Sequence, residues 1–253
     1  MRLCAALAVF FCFCITPPSQ TAAVADLQSR YHVNGRFPKP VHRFTAQSRR
    51  PSVCYLTFDD GPSNNAEALL DLLNRYQAKA TFFLLAKQVA KHPQSVRRMK
   101  EEGFTIGLHG VSHNYKLLYR SKHSVVREMS ADQKIVRETV QITTPFIRTP
   151  YGSYPFMNSR YRQATARHGF IMWDWNVDSR DWLYKDWRFV AETIRQIKRL
   201  HRNGEVPVIL LHDRLQTYRY LAPLLNYLKQ SHYEMRAFDA SIPPLQFPER
   251  RRS

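Results

Sequence analysis

Acidic residues are scarce in this 253-residue chain: 20 Asp and Glu stand against 38 Lys and Arg, a formal net charge of +18. None of the acids precedes Asp26, so residues 26–253, which lose only the charge of Arg2, carry 37 basic against 20 acidic side chains, or +17. Such an excess calls for an anionic neighbour. In a cytosolic protein nucleic acid would come first, whereas an exported one meets wall polymers or acidic lipid headgroups. The bland alternative is a basic surface that only keeps the protein soluble. Cysteine is equally sparse. Three of the four (Cys4, Cys12, Cys14) lie in the first fourteen residues. If that segment is removed, Cys54 has no partner, so no intramolecular disulfide supports the fold. Long apolar runs are missing too. The run from Leu3 to Ile15 is about 13 residues, short of the roughly 20 that span a membrane. With Arg2 before it and small residues offering cleavage after Ala23 or Ala25, residues 1–25 read as a secretory signal, an uncleaved anchor being the alternative. Phe11 and Phe13 stand where a lipoprotein would have a small residue before its cysteine. No internal repeat or low-complexity tract is present. Residues 26–50 lack a clear period and read as a linker or N-terminal extension, and 241–253, with its "RRR", as a basic tail.

What the chain does contain is a regular alternation. Apolar strand candidates are 53–58, 80–85, 104–109, 145–148, 170–175, 206–212 and 233–238. Amphipathic patterns at 64–77, 88–102, 122–141, 158–168, 186–203 and 218–231 predict helices, the first capped by Ser63 or Asn64. Near-continuous apolar strands separated by helices imply an α/β fold with a parallel sheet covered on its faces. Seven strands and six helices suit a closed or partly closed β/α barrel spanning 51–240, with an open doubly wound sheet as the alternative. The apolar fraction of 44% is enough for its core.

Polar residues collect at the C-terminal ends of these strands. Beginning at Leu56 the chain reads "LTFDDGPSNN", placing Asp59 and Asp60 after the first strand. Adjacent carboxylates repel, and a turn former's role competes with a cation-binding or proton-transfer role. His109 ends the third strand and His113 follows four residues on; Arg148 ends the fourth; Asp178, Asp181 and Trp182 follow the fifth; His212 ends the sixth. That edge is where parallel α/β folds place ligands and catalysis. His109 and His113 share a face if helical, and a tight loop can also bring them together. With one carboxylate they make a ligand set that leaves positions open, as catalytic metal sites do. The second carboxylate is then free to act as base and His212 as acid, so the two aspartates need not share one task.

In order, "TFDDG", H-x-x-x-H (109–113), R-x-P-Y (148–151), D-x-x-D-W (178–182) and the strand ending in His212 resemble the five motifs of the polysaccharide deacetylases, the NodB-type enzymes of carbohydrate esterase family 4. The resemblance covers roughly residues 51–238 and implies a distorted (β/α)7 barrel. It implies Asp59 as general base, held ionised and oriented by Arg148. Asp60, His109 and His113 become ligands of a divalent cation, usually zinc, though cobalt or another transition metal can serve. It implies that the Tyr151 backbone N–H meets the oxyanion and that Asp181 orients His212 and favours its protonated form. Trp182 and Leu210 would wall the acetyl pocket. The implied reaction releases acetate from an N-acetylated amino sugar in a polymer. The wording around the motifs is similar to that of exported Gram-positive deacetylases acting on peptidoglycan, with chitooligosaccharides as the other candidate glycan. The expected partners are that glycan and anionic wall polymers, not nucleic acid, and the expected state is a monomer. An O-acetyl polysaccharide esterase and a non-catalytic glycan-binding module are the competing readings. One departure stands out: Gly110 follows His109 where the family usually carries Ser or Thr. Of the tryptophans, Trp173 and Trp175 are expected in the core, Trp182 at the site, and Trp187 is unassigned.

Overall fold

The computed structural model describes residues 52–249. The signal-peptide and linker expectations at 1–25 and 26–50, and the arginines at 250–252, lie outside the described residues. Strands are β1 (Ser52–Asp59), β2 (Ala80–Leu85), β3 (Thr105–Gly110), β4 (Phe146–Ile147), β5 (Ile171–Met172), β6 (Val177–Asp178), β7 (Val208–His212) and β8 (Tyr233–Arg236). Helices are α1 (Ala66–Arg75), α2 (Ala86–Lys91), α3 (Pro93–Glu101), α4 (Tyr115–Leu118), α5 (Lys122–Val140), α6 (Ser159–Arg167), α7 (Asp181–Tyr184), α8 (Arg188–Arg202) and α9 (Leu215–Gln230). Among the described residues no helix is long and apolar enough to cross a membrane.

Every strand pairing is parallel, in the order β5-β4-β3-β2-β1-β7-β6. The two edge strands are joined directly by residues 173–176. Trp173 N–H donates to the Ile147 carbonyl on one edge, and Asn176 N–H to the Val208 carbonyl on the other. Four residues reach at most ~14 Å, so the sheet must curl until its edges nearly meet. The result is the distorted parallel barrel, and the open doubly wound sheet is set aside.

Seven strands do line the barrel, but not the seven expected. The segment at 233–236 pairs only with the first half of β1, Ser52 to Tyr55. The seventh place on the path is taken by Val177–Asp178, two residues too short to show a period. "DSRDW" therefore follows β6 rather than the fifth strand. The helix expected at 88–102 is two, broken at Pro93, which cannot donate the N–H that would continue α2. The first helix begins at Ala66 after Asn65, with no side-chain cap, because Ser63 is occupied elsewhere.

Alternation along β1 sends Cys54, Leu56 and Phe58 to the helices and Tyr55, Thr57 and Asp59 into the barrel. The interior is aromatic: Trp173 stacks on Phe238 with centroids 3.8 Å apart, beside Tyr55, Phe83 and Phe146. Residues 241–249 correct the expected basic tail. Leu245 and Phe247 are buried in this same cluster, and Phe247 N–H donates to Asp174 Oδ2 at 2.7 Å. Two apolar side chains spaced i, i+2 on an extended run reach the interior together, and the domain continues through them.

Candidate active site

Strand register assembles the site before any side chain is considered. Asp59 pairs with His212 across β1 and β7, and Leu108 with Ile147, so His109 and Arg148 end neighbouring strands. Gly61 follows the two aspartates because a Cβ there would lie 2.6 Å from Asp213 Oδ2. Asp213 in turn accepts Ser63 N–H at 2.8 Å and Ser63 Oγ–H at 2.6 Å, tying the loop after β1 to the end of β7.

Arg148 is fully buried and connects the parts. Its Nη1 donates to Asp59 Oδ1 at 2.9 Å and to Thr57 Oγ1 at 2.6 Å. Its Nη2 and Nε donate to the carbonyls of Asp174 and Trp173, which belong to the bridge that closes the barrel. The guanidinium lies over the rings of Phe83 and Trp175, at 4.3 and 5.5 Å. Four of its five donors are thereby used. A buried cation so satisfied fixes Asp59 Oδ1 and leaves Oδ2 facing His109 Nε2, 3.8 Å away.

Asp60, His109 and His113 converge, their ligand atoms all within 4.8 Å of one another. The residues present fit a cation. Asp60 Oδ1 is buried with no hydrogen-bond partner, 3.2 Å from His113 Nε2 and 3.6 Å from His109 Nε2. His109 Nδ1 lies 2.7 Å from the Arg148 carbonyl, which can only accept, so the proton is on Nδ1 and the Nε2 lone pair is free. Tyr151 Oη donates to the His113 carbonyl at 2.9 Å and can then only accept from His113 Nδ1–H at 3.1 Å, freeing that Nε2 as well. Burial lowers the pKa of His109 and favours its neutral form against the charges of Asp59 and Asp60. Burial would raise the carboxyl of Asp60, but the His113 imidazole beside it and the charge of His212 hold it well below the usual range. Arg214 Nη2 donates to Asp60 Oδ2 at 2.7 Å, leaving Oδ1 as the ligand atom.

Opposite them, His212 Nδ1–H donates to Asp181 Oδ1 at 2.7 Å, and its backbone N–H to Oδ2 at 2.8 Å. Asp181 also accepts from Trp182 N–H and the Thr217 hydroxyl. Burial alone would lower the imidazole's pKa. The charge and hydrogen bond of Asp181, with Asp60 assisting, outweigh it and push His212 up to about 9. The ring is thus cationic at neutral pH, with Nε2–H as the available proton.

Backbone strain concentrates here. Asp60, His113, Tyr151 and Arg180 are four of the eight described non-glycine residues with positive φ, a conformation that costs on the order of 1 kcal/mol or more each. His109 and His113 meet through a loop rather than on a helix. Leu210 is buried inside the barrel one alternation below His212, and Trp182 is half-buried on α7. Trp173 and Trp175 are core as expected, while Trp187 is 64% exposed. Asp178 caps Arg180 N–H, and burial raises it to about 6. Sequence reasoning missed Thr57, Asp174, Asp213, Arg214, Glu128 and Asp132. Thr57, Asp213 and Arg214 sit in or within two residues of a motif, which was the available signal.

A curled parallel barrel carrying a two-histidine, one-aspartate cluster, an arginine-held carboxylate and an aspartate-held histidine on one edge describes a hydrolase of the polysaccharide deacetylase type. The sequence profile of the polysaccharide deacetylase family matches residues 46–173. A peptidoglycan-N-acetylglucosamine deacetylase of Bacillus cereus is 34% identical over 234 residues, covering 88% of this chain and 84% of that protein. The peptidoglycan-N-acetylglucosamine deacetylase PgdA of Listeria monocytogenes is 32% identical over 186 residues, 73% of this chain but 37% of its own. The crystal structure of the polysaccharide deacetylase Bc1974 from Bacillus cereus superposes with a TM-score of 0.68 at 35% identity, covering 78% of this chain and 97% of that one. The chain belongs to the polysaccharide deacetylase family, carbohydrate esterase family 4, and is a deacetylase hydrolysing amide bonds.

Proposed function

We propose that this protein is an exported, metal-dependent N-deacetylase of the amino sugars of peptidoglycan, releasing acetate. The observation that carries the reading is the division of labour between the two adjacent aspartates: Asp59 is held by Arg148 and turned toward the cluster, and Asp60 belongs to the cluster itself. Relatives named as peptidoglycan deacetylases support the glycan. The N-terminal signal pattern supports export, and a charge of +17 suits a wall rich in anionic polymers.

A divalent cation held by Asp60, His109 and His113 would lower the pKa of a bound water and polarise the amide carbonyl, and zinc is the best match to two imidazoles and a carboxylate, with cobalt or another transition metal as substitute. Asp59 Oδ2 accepts the proton of the attacking water, its partner oxygen being occupied by Arg148. Tyr151 N–H donates to the oxygen that gains charge on attack. His212 Nε2–H protonates the departing nitrogen, and Asp181 stabilises the imidazolium until then. Leu210 and Trp182 bound the space for the methyl group and keep water from it. The products are acetate and a free amine.

The test is acetate release from peptidoglycan and from chitooligosaccharides, metal-free and with added zinc or cobalt, with Asp59→Asn as control. Metal-dependent release from N-acetyl substrates, lost in the variant, is expected, and the preferred substrate names the sugar. Release from O-acetyl polymers alone would replace the reading with an esterase. Glycan binding without any release would make the protein a binding module.

A further inference from the structure

Residues 109–112 carry His109 and deliver the chain to His113, and their four backbone N–H groups are held from outside the segment. Gly110 sits at φ +92° and brings no side chain of its own. The bracing comes from α5. His109 N–H and Gly110 N–H donate to Asp132 Oδ2 at 3.0 and 2.8 Å. Val111 N–H and Ser112 N–H both donate to Glu128 Oε2 at 2.8 Å. Four successive backbone donors are taken by two carboxylates one helical turn apart (i, i+4), which therefore share a face of α5. A bare Gly110 leaves room for this approach: a Cβ there would stand 3.3 Å from Glu128 Oε2. Asp132 is completely buried, and its other oxygen has no partner. A buried carboxylate so incompletely satisfied is costly for α5, and a helix needing only to pack on a sheet would be better served by an apolar residue.

We infer that Glu128 and Asp132 are positioning residues for the cation cluster, setting the curvature of 109–112 that turns both imidazole Nε2 atoms toward Asp60 Oδ1. They touch neither substrate nor the reacting atoms. Their effect passes through the backbone that carries His109 and delivers the chain to His113. The inference rests on the cluster being a cation site, as proposed above.

Cobalt binding, followed in the full chain by visible absorption and chelator competition, separates the two. If wild type binds no cobalt, the cation reading itself fails. If it binds, Glu128→Ala is expected to weaken the affinity about 10–100-fold, the usual effect of removing a group that orients a ligand, and to alter the absorption band. Glu128→Gln should restore most of the affinity, because its amide oxygen accepts the same two N–H groups. Wild-type affinity and spectrum in Glu128→Ala, with only a lower melting temperature, would overturn the inference. Should Glu128→Ala not fold, Glu128→Asp carries the test. One methylene shorter, its carboxylate falls short of the Val111 and Ser112 N–H groups, so it should bind cobalt more weakly, and wild-type binding by it would likewise overturn the inference.

Discussion

The two faces of the sheet obey different rules. Outward, Cys54, Leu56 and Phe58 of β1 join Leu70, Leu73, Phe82 and Ile209 in a layer of sheet-on-helix packing. Inward, the same strand presents Tyr55, Thr57 and Asp59, and the barrel fills from an aromatic floor to a charged rim within three alternations. Between floor and rim lies Arg148, fully buried and bound to β1 and to the bridge at 173–174. The outer layer is non-directional, so a side chain there contributes by the area it buries. The inner column is directional. Each polar group is satisfied by one partner at one angle, and removal of one leaves another exposed to a low-dielectric interior.

That contrast can be broken most sharply at Arg148. Arg148→Met should cost about 3–5 kcal/mol, since it leaves Asp59 buried without its cation, and should lower acetate release by on the order of 10²-fold or more as Asp59 loses its orientation. Urea denaturation and initial rates read the two effects separately. An outer-layer truncation of similar thermodynamic size should separate them. Leu70→Ala is expected to destabilise by about 2–5 kcal/mol while the folded enzyme keeps its kcat, and a fall in kcat would show that the layers are not independent.

At the rim the effect is one of pH. His212, raised to about 9 from 6.5, contributes stability fully present below pH 6.5 and lost as pH rises through 9. Its proton is available over the same range, so activity should fall on an alkaline limb near 9. In Asp181→Asn only the weaker charge of Asp60 opposes burial. The limb should move to lower pH, and the alkaline loss of stability should flatten. An unmoved limb in the pH–kcat/KM profile would remove His212 as the acid. The smallest effect belongs to neither face: Trp187→Ala, at a 64% exposed side chain, should change stability by no more than about 0.5 kcal/mol, checked by thermal melting.

Much of this was legible beforehand where elements are long and strongly patterned. β1, β2, β3 and β7 lie within two residues of their expected bounds at the end that carries the site, because a fully buried strand needs an unbroken apolar run. Val177–Asp178 was not legible, since two residues carry no period and the pair exists only because β7 offers it an edge. The packed segment 241–249 was read as tail for a related reason. Leu245 and Phe247 are two apolar residues among prolines and polar ones, and only the open end of a barrel gives them somewhere to go.

The site divides in the same way. Asp59, Asp60, His109, His113, Arg148, Asp181 and His212 announce themselves, since their chemistry requires those residue types at strand ends. Glu128 and Asp132 do not. On α5 they are two acids of an amphipathic helix, and their partners are backbone N–H groups that any sequence supplies. Local pattern and residue chemistry thus settled the class of fold and which polar residue types stand at the strand ends. Curling of the sheet decided which strand closes the barrel, which imidazole nitrogens are free, and which carboxylates hold the loop between them, because those depend on distances between segments far apart in the chain.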